Sequence, residues 1–358
     1  MKKIDAYILK RFLGTFFYSI SLIIIIVIVF DISEKIEDFI TKQAPLKAII
    51  FDYYFNFIPY FVNLFSPLFT FIAVIFFTSK MASNTEIVAI LSSGISFRRM
   101  LYPYFLAASI LAGLSLYLNN FIIPKANKKR IDFEERYIRN AYYNQDVNIH
   151  KQIDPGTFIY LERYNNQLNT GYKFALEKLQ QGNLSYKLMA ESIIWDSIKG
   201  KWEISNYFIR KINGMNETVR TGSKLDTILN FHPKDFGRKL INIETMNYFE
   251  LGEYIDNEKM RGSDNVQLYE IEKYKRLAFP FATFILTLVG VSLASQKVRG
   301  GIGLHIGIGL LISFTFILFM QVSTTFAASG LVSAAMAVWI PNILFGLLSL
   351  FLLKGAPK

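Results

Sequence analysis

Apolar runs long enough to cross roughly 30 Å of hydrocarbon occur at both ends of the chain, and a long polar stretch without such runs separates them. The first, Ala6 to Phe30, follows Met1-Lys2-Lys3-Ile4-Asp5. It is too long for a signal-peptide core and lacks a small-residue cleavage site, so it predicts an uncleaved first span. Asp31 to about Phe51 reads as a polar connector broken by Pro45, and Phe55 to Thr78 as a second span carrying Pro59 and Pro67. Membrane helices tolerate proline where neighbours satisfy the freed carbonyl, so these two predict kinks packed against other helices. A third span, Met100 to about Ile123, is closed by Pro124.

From Lys125 to about Tyr269 the pattern changes. Short alternating runs at Thr157–Leu161, Tyr172–Leu179, Leu184–Trp195, Trp202–Ile212 and Glu217–Arg220 read as strands, punctuated by Gln181-Gly182-Asn183, Lys199-Gly200 and Asn213-Gly214. The apolar runs then resume: Lys273–Ala294 with Pro280, about Leu304–Ala328, and Ala335–Leu353 with Pro341. The expected organisation is residues 1–124 with spans one to three, 125–269 as an inserted β domain, and 270–358 with spans four to six.

Between spans two and three lies Lys80–Pro103, which reads as a short helix over 83–94 with its own start and stop. Ser83 and Glu86 have capping-box spacing, Ile87, Ile90 and Leu91 fall at helical spacing, Gly94 ends the helix, and Ser96 can cap the next. One reading is an amphipathic helix lying on the bilayer, with Glu86 only a cap. The other is a coupling helix seated in a groove of a soluble partner.

Composition and charge agree with a polytopic membrane protein. Hydrophobic residues make up 52% and aromatics 16% of 358 residues, and the mean hydropathy is +0.29, values that leave room for a sizeable polar domain. The net charge of +11 is dispersed around the spans, which argues for membrane topology and against nucleic acid. Lys2, Lys3, Lys10, Arg11, Lys80, Arg98, Arg99, Lys297, Arg299, Lys354 and Lys358 fall on one side of six alternately threaded spans. The positive-inside rule makes that side cytoplasmic, with both termini, and places the β domain outside the inner membrane.

No constellation for catalysis emerges. His150, His232 and His305 are scattered, without a His-Glu-x-x-His pair. There is no nucleotide-cradling Gly-x-x-x-x-Gly-Lys-Ser/Thr loop, and Gly300, Gly301, Gly303, Gly307 and Gly309 read as close-packing positions. With no cysteine, disulfides and thiolate chemistry are absent. Any ATP used is hydrolysed by another chain; no metal or cofactor is expected on this one.

The pattern Glu-Ile-x-Ala-x-x-x-x-Gly-x-Ser-x-x-Arg at Glu86–Arg99, followed by Pro103, resembles the lipopolysaccharide-export permeases LptF and LptG. So do the Lys-Arg-Leu-Ala-x-Pro arrangement at Lys275–Pro280 and the order Ala190-Glu191, Trp195-Asp196, Trp202 in the strands. The Ile-Asp-x-Tyr-Ile start at Ile4–Ile8 leans towards LptG. The resemblance implies a three-plus-three helical bundle with an inserted periplasmic all-β jellyroll. The implied role is half of an LptF–LptG pair, driven by an LptB dimer that binds ATP and magnesium, assisted by LptC, and passing lipopolysaccharide through the jellyroll to LptA.

It also implies that Glu86, Ile87, Ile90, Leu91, Gly94, Ser96, Arg98 and Arg99 serve coupling to the ATPase. Lys35, Lys273, Lys275 and Arg276 are then candidate lipid-phosphate contacts, and Ile193 and Trp195 a candidate acyl groove. Asp31 and Glu34 beside Lys35 depart from LptG relatives, which tend to be basic there; interfacial snorkelling is the ordinary alternative for these cations. A reading from another class is a mechanotransmitting or signalling membrane protein whose exported β domain binds a protein partner.

Overall fold

A computed structural model describes residues 2–139, 145–236, 243–263, 265–296 and 301–355, so the expected basic loop at 297–300 and Lys358 lie outside the described residues. The chain forms two compact units. One comprises residues 1–138, 244–248 and 267–358; the other comprises 139–243 and 249–266. The division expected after Pro124 thus falls after Ile138.

Among the described residues the first unit holds six helices long and apolar enough to cross a membrane. Helix α1 (Lys3–Thr41) continues into the first half of the expected polar connector and ends before Pro45. The charges after Phe30 do not end it because Lys35 pairs with Asp31 one turn away on the same helix. A turn and a six-residue π-helical segment, Ile49–Tyr54, lead into α2 (Phe55–Ser83). The short α3 (Glu86–Ser92) and α4 (Phe97–Tyr117) follow.

The third span does not stop at Pro124. A second π segment, Leu118–Ile122, leads into α5 (Ile123–Tyr137), whose first turn accommodates Pro124 because no intrahelical donor is needed there. The expectation of a stop at Pro124 failed for that reason. Later in the chain come α6 (Tyr248–Met260), α7 (Val266–Ala294), α8 (Gly301–Ala328) and α9 (Ala334–Lys354).

Two glycines set how closely the helices approach. A Cβ on Gly290 of α7 would sit 2.9 Å from Val74 and 3.1 Å from Phe71, and one on Gly309 of α8 would collide with Ile75 Cδ1. Both contacts are with α2, which makes α2 the central helix of this part of the bundle. A Cβ on Gly303 or Gly307, both expected to pack closely, would meet nothing within 4 Å among the described residues. Gly309→Leu is therefore expected to lower stability by roughly 1–3 kcal/mol through overpacking, while Gly307→Leu leaves thermal unfolding in detergent unchanged.

The second unit is built on a six-stranded antiparallel sheet in the order β1-β2-β3-β4-β5-β6. Its strands are β1 (Val147–Asp154), β2 (Thr157–Asn165), β3 (Thr170–Gln180), β4 (Asn183–Asp196), β5 (Lys201–Asn213) and β6 (Asn216–Thr227). The jellyroll of the resemblance takes the form of an up-and-down sheet paired in chain order. The unit is not all β, since most of α6 and a 3-10 turn, Pro233–Phe236, belong to it. One face of the sheet is filled by a core that includes Ile159, Leu161, Phe174, Leu176, Ile193, Trp202 and Ile204, with Phe231 and Phe236 packed on it.

A line across this sheet shifts the side-chain alternation. Asn148, Lys173 and Asn206, on alternate strands, all have positive φ, between 50° and 54°. Register places them in one row with Glu162 and Glu191. Buried positions change parity there: Leu188 and Ala190 precede Ile193 in β4, and Trp202 and Ile204 precede Tyr207 and Ile209 in β5. The left-handed residues lie on β1, β3 and β5, β4 changes parity at Glu191 opposite two of them, and because neighbouring strands shift together the β4–β5 register is kept. Lys173 Nζ to Glu162 at 2.9 Å and Asn206 Nδ2 donating to Glu191 at 2.6 Å tie the row together.

Candidate functional site

The first unit carries its chemistry at two places, the turn around Glu86 and a cavity between α2, α4–α5, α7 and α8. At the turn, Thr85 precedes α3 with φ 62° and no side-chain cap. The expected capping box is not formed: Ser83 Oγ donates to the Lys80 carbonyl instead. Glu86 opens the helix, and its carboxylate accepts from Tyr7 OH at 3.0 Å and from Asn84 Nδ2 at 3.2 Å. Gly94 ends the segment with φ 84°, and Ser96 caps α4 through the Arg99 N–H at 3.3 Å, both as expected.

The apolar face of α3 does not point outward. Ile87 is 1% exposed and shares a core with Ile8 and Met100, while Ile90 and Leu91 lean on the same core. The expectation that Ile87 offers itself to a partner is corrected: packing on the first span takes that face. The large apolar residue left exposed on α3 is Val88, 60% exposed, which helical spacing alone assigned to no role. Arg99 also turns towards the first span, its guanidinium gripping Asp5 at 2.8 and 2.7 Å. Its neighbour Arg98 stays exposed.

The cavity has a volume of about 460 Å³. Its wall is apolar along Leu64, Phe65, Leu68, Phe279, Leu286, Phe314, Phe316, Ile317 and Met320, and polar at Tyr60, Asn63, Asn119, Asn127, Glu244, Glu272, Lys275 and Arg276. The carboxylates here are engaged. Glu272 lies 3.5 Å from Arg276, and Glu244 lies 3.3 Å from Arg130. Arg276, 5% exposed, also donates to the Met246 carbonyl at 2.6 Å. Lys275 has no ion-pair partner among the described residues. Three polar atoms of lining residues, Asn119 Nδ2, Asn127 Oδ1 and Ser313 Oγ, have no hydrogen-bond partner among the described residues, and Asn127 and Ser313 are each 1% exposed. Unmet polar groups this deep are costly unless something occupies the space beside them.

The four cations singled out for phosphate do not share one place. Lys275 and Arg276 line the cavity. Lys273 lies 5.2 Å over the Tyr248 ring. Lys35 is engaged inside the chain, bonded to Asp31 and Tyr53, while Tyr54 OH donates to Asp31 at 3.0 Å. Asp31 and its tyrosine neighbours thus explain why Lys35 is not presented as a bare cation. Sequence reasoning passed over Lys125, Lys128 and Lys129, which lie on the exposed face of α5 and pair with no acid among the described residues. Their spacing after Pro124 was the available signal, hidden by ending the helix too early.

In the second unit, Ile193 is fully buried and Trp195 packs edge-on against Trp202 at 5.3 Å and His232 at 4.7 Å. Both face the core side of β4, as strand alternation requires, but that side is filled by the unit's own residues. The expected groove is therefore a packed core at these positions. His150 stacks near Tyr160, and His305 meets Ser79 Oγ at 2.8 Å, so the histidines stay apart. Among the described residues no group of His, Asp or Glu is placed to hold a metal ion.

A helical membrane bundle interrupted by an antiparallel β domain, with an amphipathic cavity among the helices, defines a multi-pass membrane permease. The sequence matches the family model of the lipopolysaccharide export system permease LptF/LptG over residues 6–355, and the chain belongs to that family. No curated protein matches it significantly.

Proposed function

We propose that the chain is the permease subunit of an ABC-type exporter that extracts lipopolysaccharide from the inner membrane. The observation that supports this best is the cavity. An apolar floor beside Lys275 and three unmet polar atoms suits an amphiphile with an anionic head and acyl chains. At roughly 0.8 kcal/mol per buried CH₂, such a molecule needs a continuous apolar path. A space of about 460 Å³ takes part of a multi-chain lipid, so a second permease completes the enclosure. The exposed Lys125, Lys128 and Lys129 add cations for lipid phosphates at the membrane surface.

In this reading ATP and magnesium are bound by an LptB dimer docked at Glu86 and Val88, and this chain itself performs no catalysis. The second permease is the LptF or LptG partner, LptC assists, and LptA receives the lipid. The termini and α3 face the cytoplasm and the β unit the periplasm. Single cysteines at Ser93 and Ser197 in this cysteine-free chain are expected to label from opposite sides; labelling of both from one side would overturn the topology. The filled core of the β unit favours a second reading for that unit, a surface that binds protein and carries no lipid. Purification with identification of bound lipid and subunits tests both: lipopolysaccharide with an ATPase supports export, and a protein partner without lipid supports the second.

A further inference from the structure

Asp5 caps the start of α1 by accepting from the Lys2 N–H, and its contact with Arg99 is additional to that local role. A carboxylate in the first turn of a helix is already favoured by the helix dipole and by water, yet Asp5 is 3% exposed and held across 94 residues of chain. Arg99 Nη1 donates to Oδ1 at 2.8 Å and Nη2 to Oδ2 at 2.7 Å, and the Lys2 backbone N–H donates to the same carboxylate at 2.8 Å. A two-pronged guanidinium–carboxylate contact fixes orientation as well as distance. Tyr7 and Glu86 form a second tie between α1 and the coupling segment, at 3.0 Å. Ile4, Ile8, Ile90 and Ile95 line a small pocket beside the pair, whose Asp5 side chain is buried while Arg99 stays 38% exposed.

What lies beyond the tie gives it a use. Among the first three spans α1 alone contains no proline, whereas α2 carries Pro59 and Pro67 and α4 carries Pro103. At about 1.5 Å per residue a helix of this length spans roughly 58 Å without an imposed kink. Near its far end Asp31 and Lys35 are bonded to Tyr53 and Tyr54. Along its length α1 packs in one core with Phe61, Val62 and Phe69 of α2, next to the cavity-lining Tyr60, Asn63 and Leu68.

We infer that Asp5 and Arg99 clamp α1 to the first turn of α4, which directly follows α3, so that a displacement of α3 by the ATPase is delivered along α1 to the α2 wall of the cavity. This rests on the exporter reading, and it makes Asp5 a positioning residue that touches neither lipid nor nucleotide. The test is the complete complex in proteoliposomes, reading three quantities together: ATPase retained, ATP hydrolysed, and lipid released per ATP. Asp5→Asn is expected to keep the ATPase and most of the hydrolysis while release per ATP falls tenfold or more. The exchanged pair Asp5→Arg with Arg99→Asp is expected to recover part of that ratio.

Release and hydrolysis falling together with loss of the ATPase would overturn the inference, since the pair would then only shape the docking surface. So would an unchanged ratio in Asp5→Asn. If that variant does not insert, Asp5→Glu, which keeps the charge on a longer arm, takes its place: a lower release per ATP with the ATPase retained supports the clamp, and an unchanged ratio overturns it. A wild-type complex without ATP-driven release would instead sink the exporter reading itself, which separates the two failures.

Discussion

Glu86→Lys is expected to yield a protein that still inserts but is purified without its ATPase. In the chain alone Glu86 is held by Tyr7 and Asn84 on the surface of the bundle, so its replacement leaves no buried hole. In the proposed complex, the carboxylate that would pair with a basic residue of the ATPase becomes an ammonium facing that same residue. Loss of a hydrogen-bonded charge pair at an interface costs about 2–5 kcal/mol, which is roughly 30-fold to several thousand-fold in affinity, and repulsion adds to it. Tyr7→Phe separates the two roles of the carboxylate. It removes the intramolecular bond and leaves the charge, so the ATPase is expected to stay bound. If Tyr7→Phe releases the ATPase as fully as Glu86→Lys does, Glu86 acts by holding α3 on α1 and not by touching the partner. Recovery of ATPase with Glu86→Lys at the wild-type level would end the coupling role altogether.

The contrast between Glu86 and Ile87 shows how far the sequence carries. Hydropathy located all six spans because each is a long run in a chain whose other segments are polar, and alternation found five of the six strands. It missed β1, where Asn148, His150 and Gln152 leave only Val147, Ile149 and Ile153 as the apolar signal. Where α1 and α5 end was not legible, because a helix continuing past the apolar run depends on pairs such as Lys35 with Asp31 and on packing such as Phe39 against Phe133. Helical spacing identified the apolar face of α3 correctly but not what it faces. Ile87 packs on the first span, some 80 residues earlier in the chain, and spacing within one helix holds no information about that. The cavity was illegible for the same reason: Asn127, Lys275 and Ser313 come from three separated segments, and only the fold brings them together.

The cavity supports the second large effect. Ser313→Trp is expected to abolish ATP-dependent lipid release while leaving the ATPase bound, because an indole at this buried lining position occupies the space an acyl chain would need. Ser313→Ala is the informative companion. Its hydroxyl is buried without a hydrogen-bond partner among the described residues, so removing it relieves a desolvated polar group and should stabilise the empty protein by about 1 kcal/mol. If the hydroxyl instead meets the ligand, the same change weakens lipid binding, and stability and binding move in opposite directions. Lys275→Gln removes the one lining cation without an ion-pair partner among the described residues. Loss of a charge-assisted contact of about 1.5–3 kcal/mol then predicts roughly 10- to 100-fold weaker binding, with thermal unfolding unchanged. Lipid co-purifying at the wild-type level with Ser313→Trp would mean that the cavity is not on the lipid path and that its unmet polar atoms serve something else.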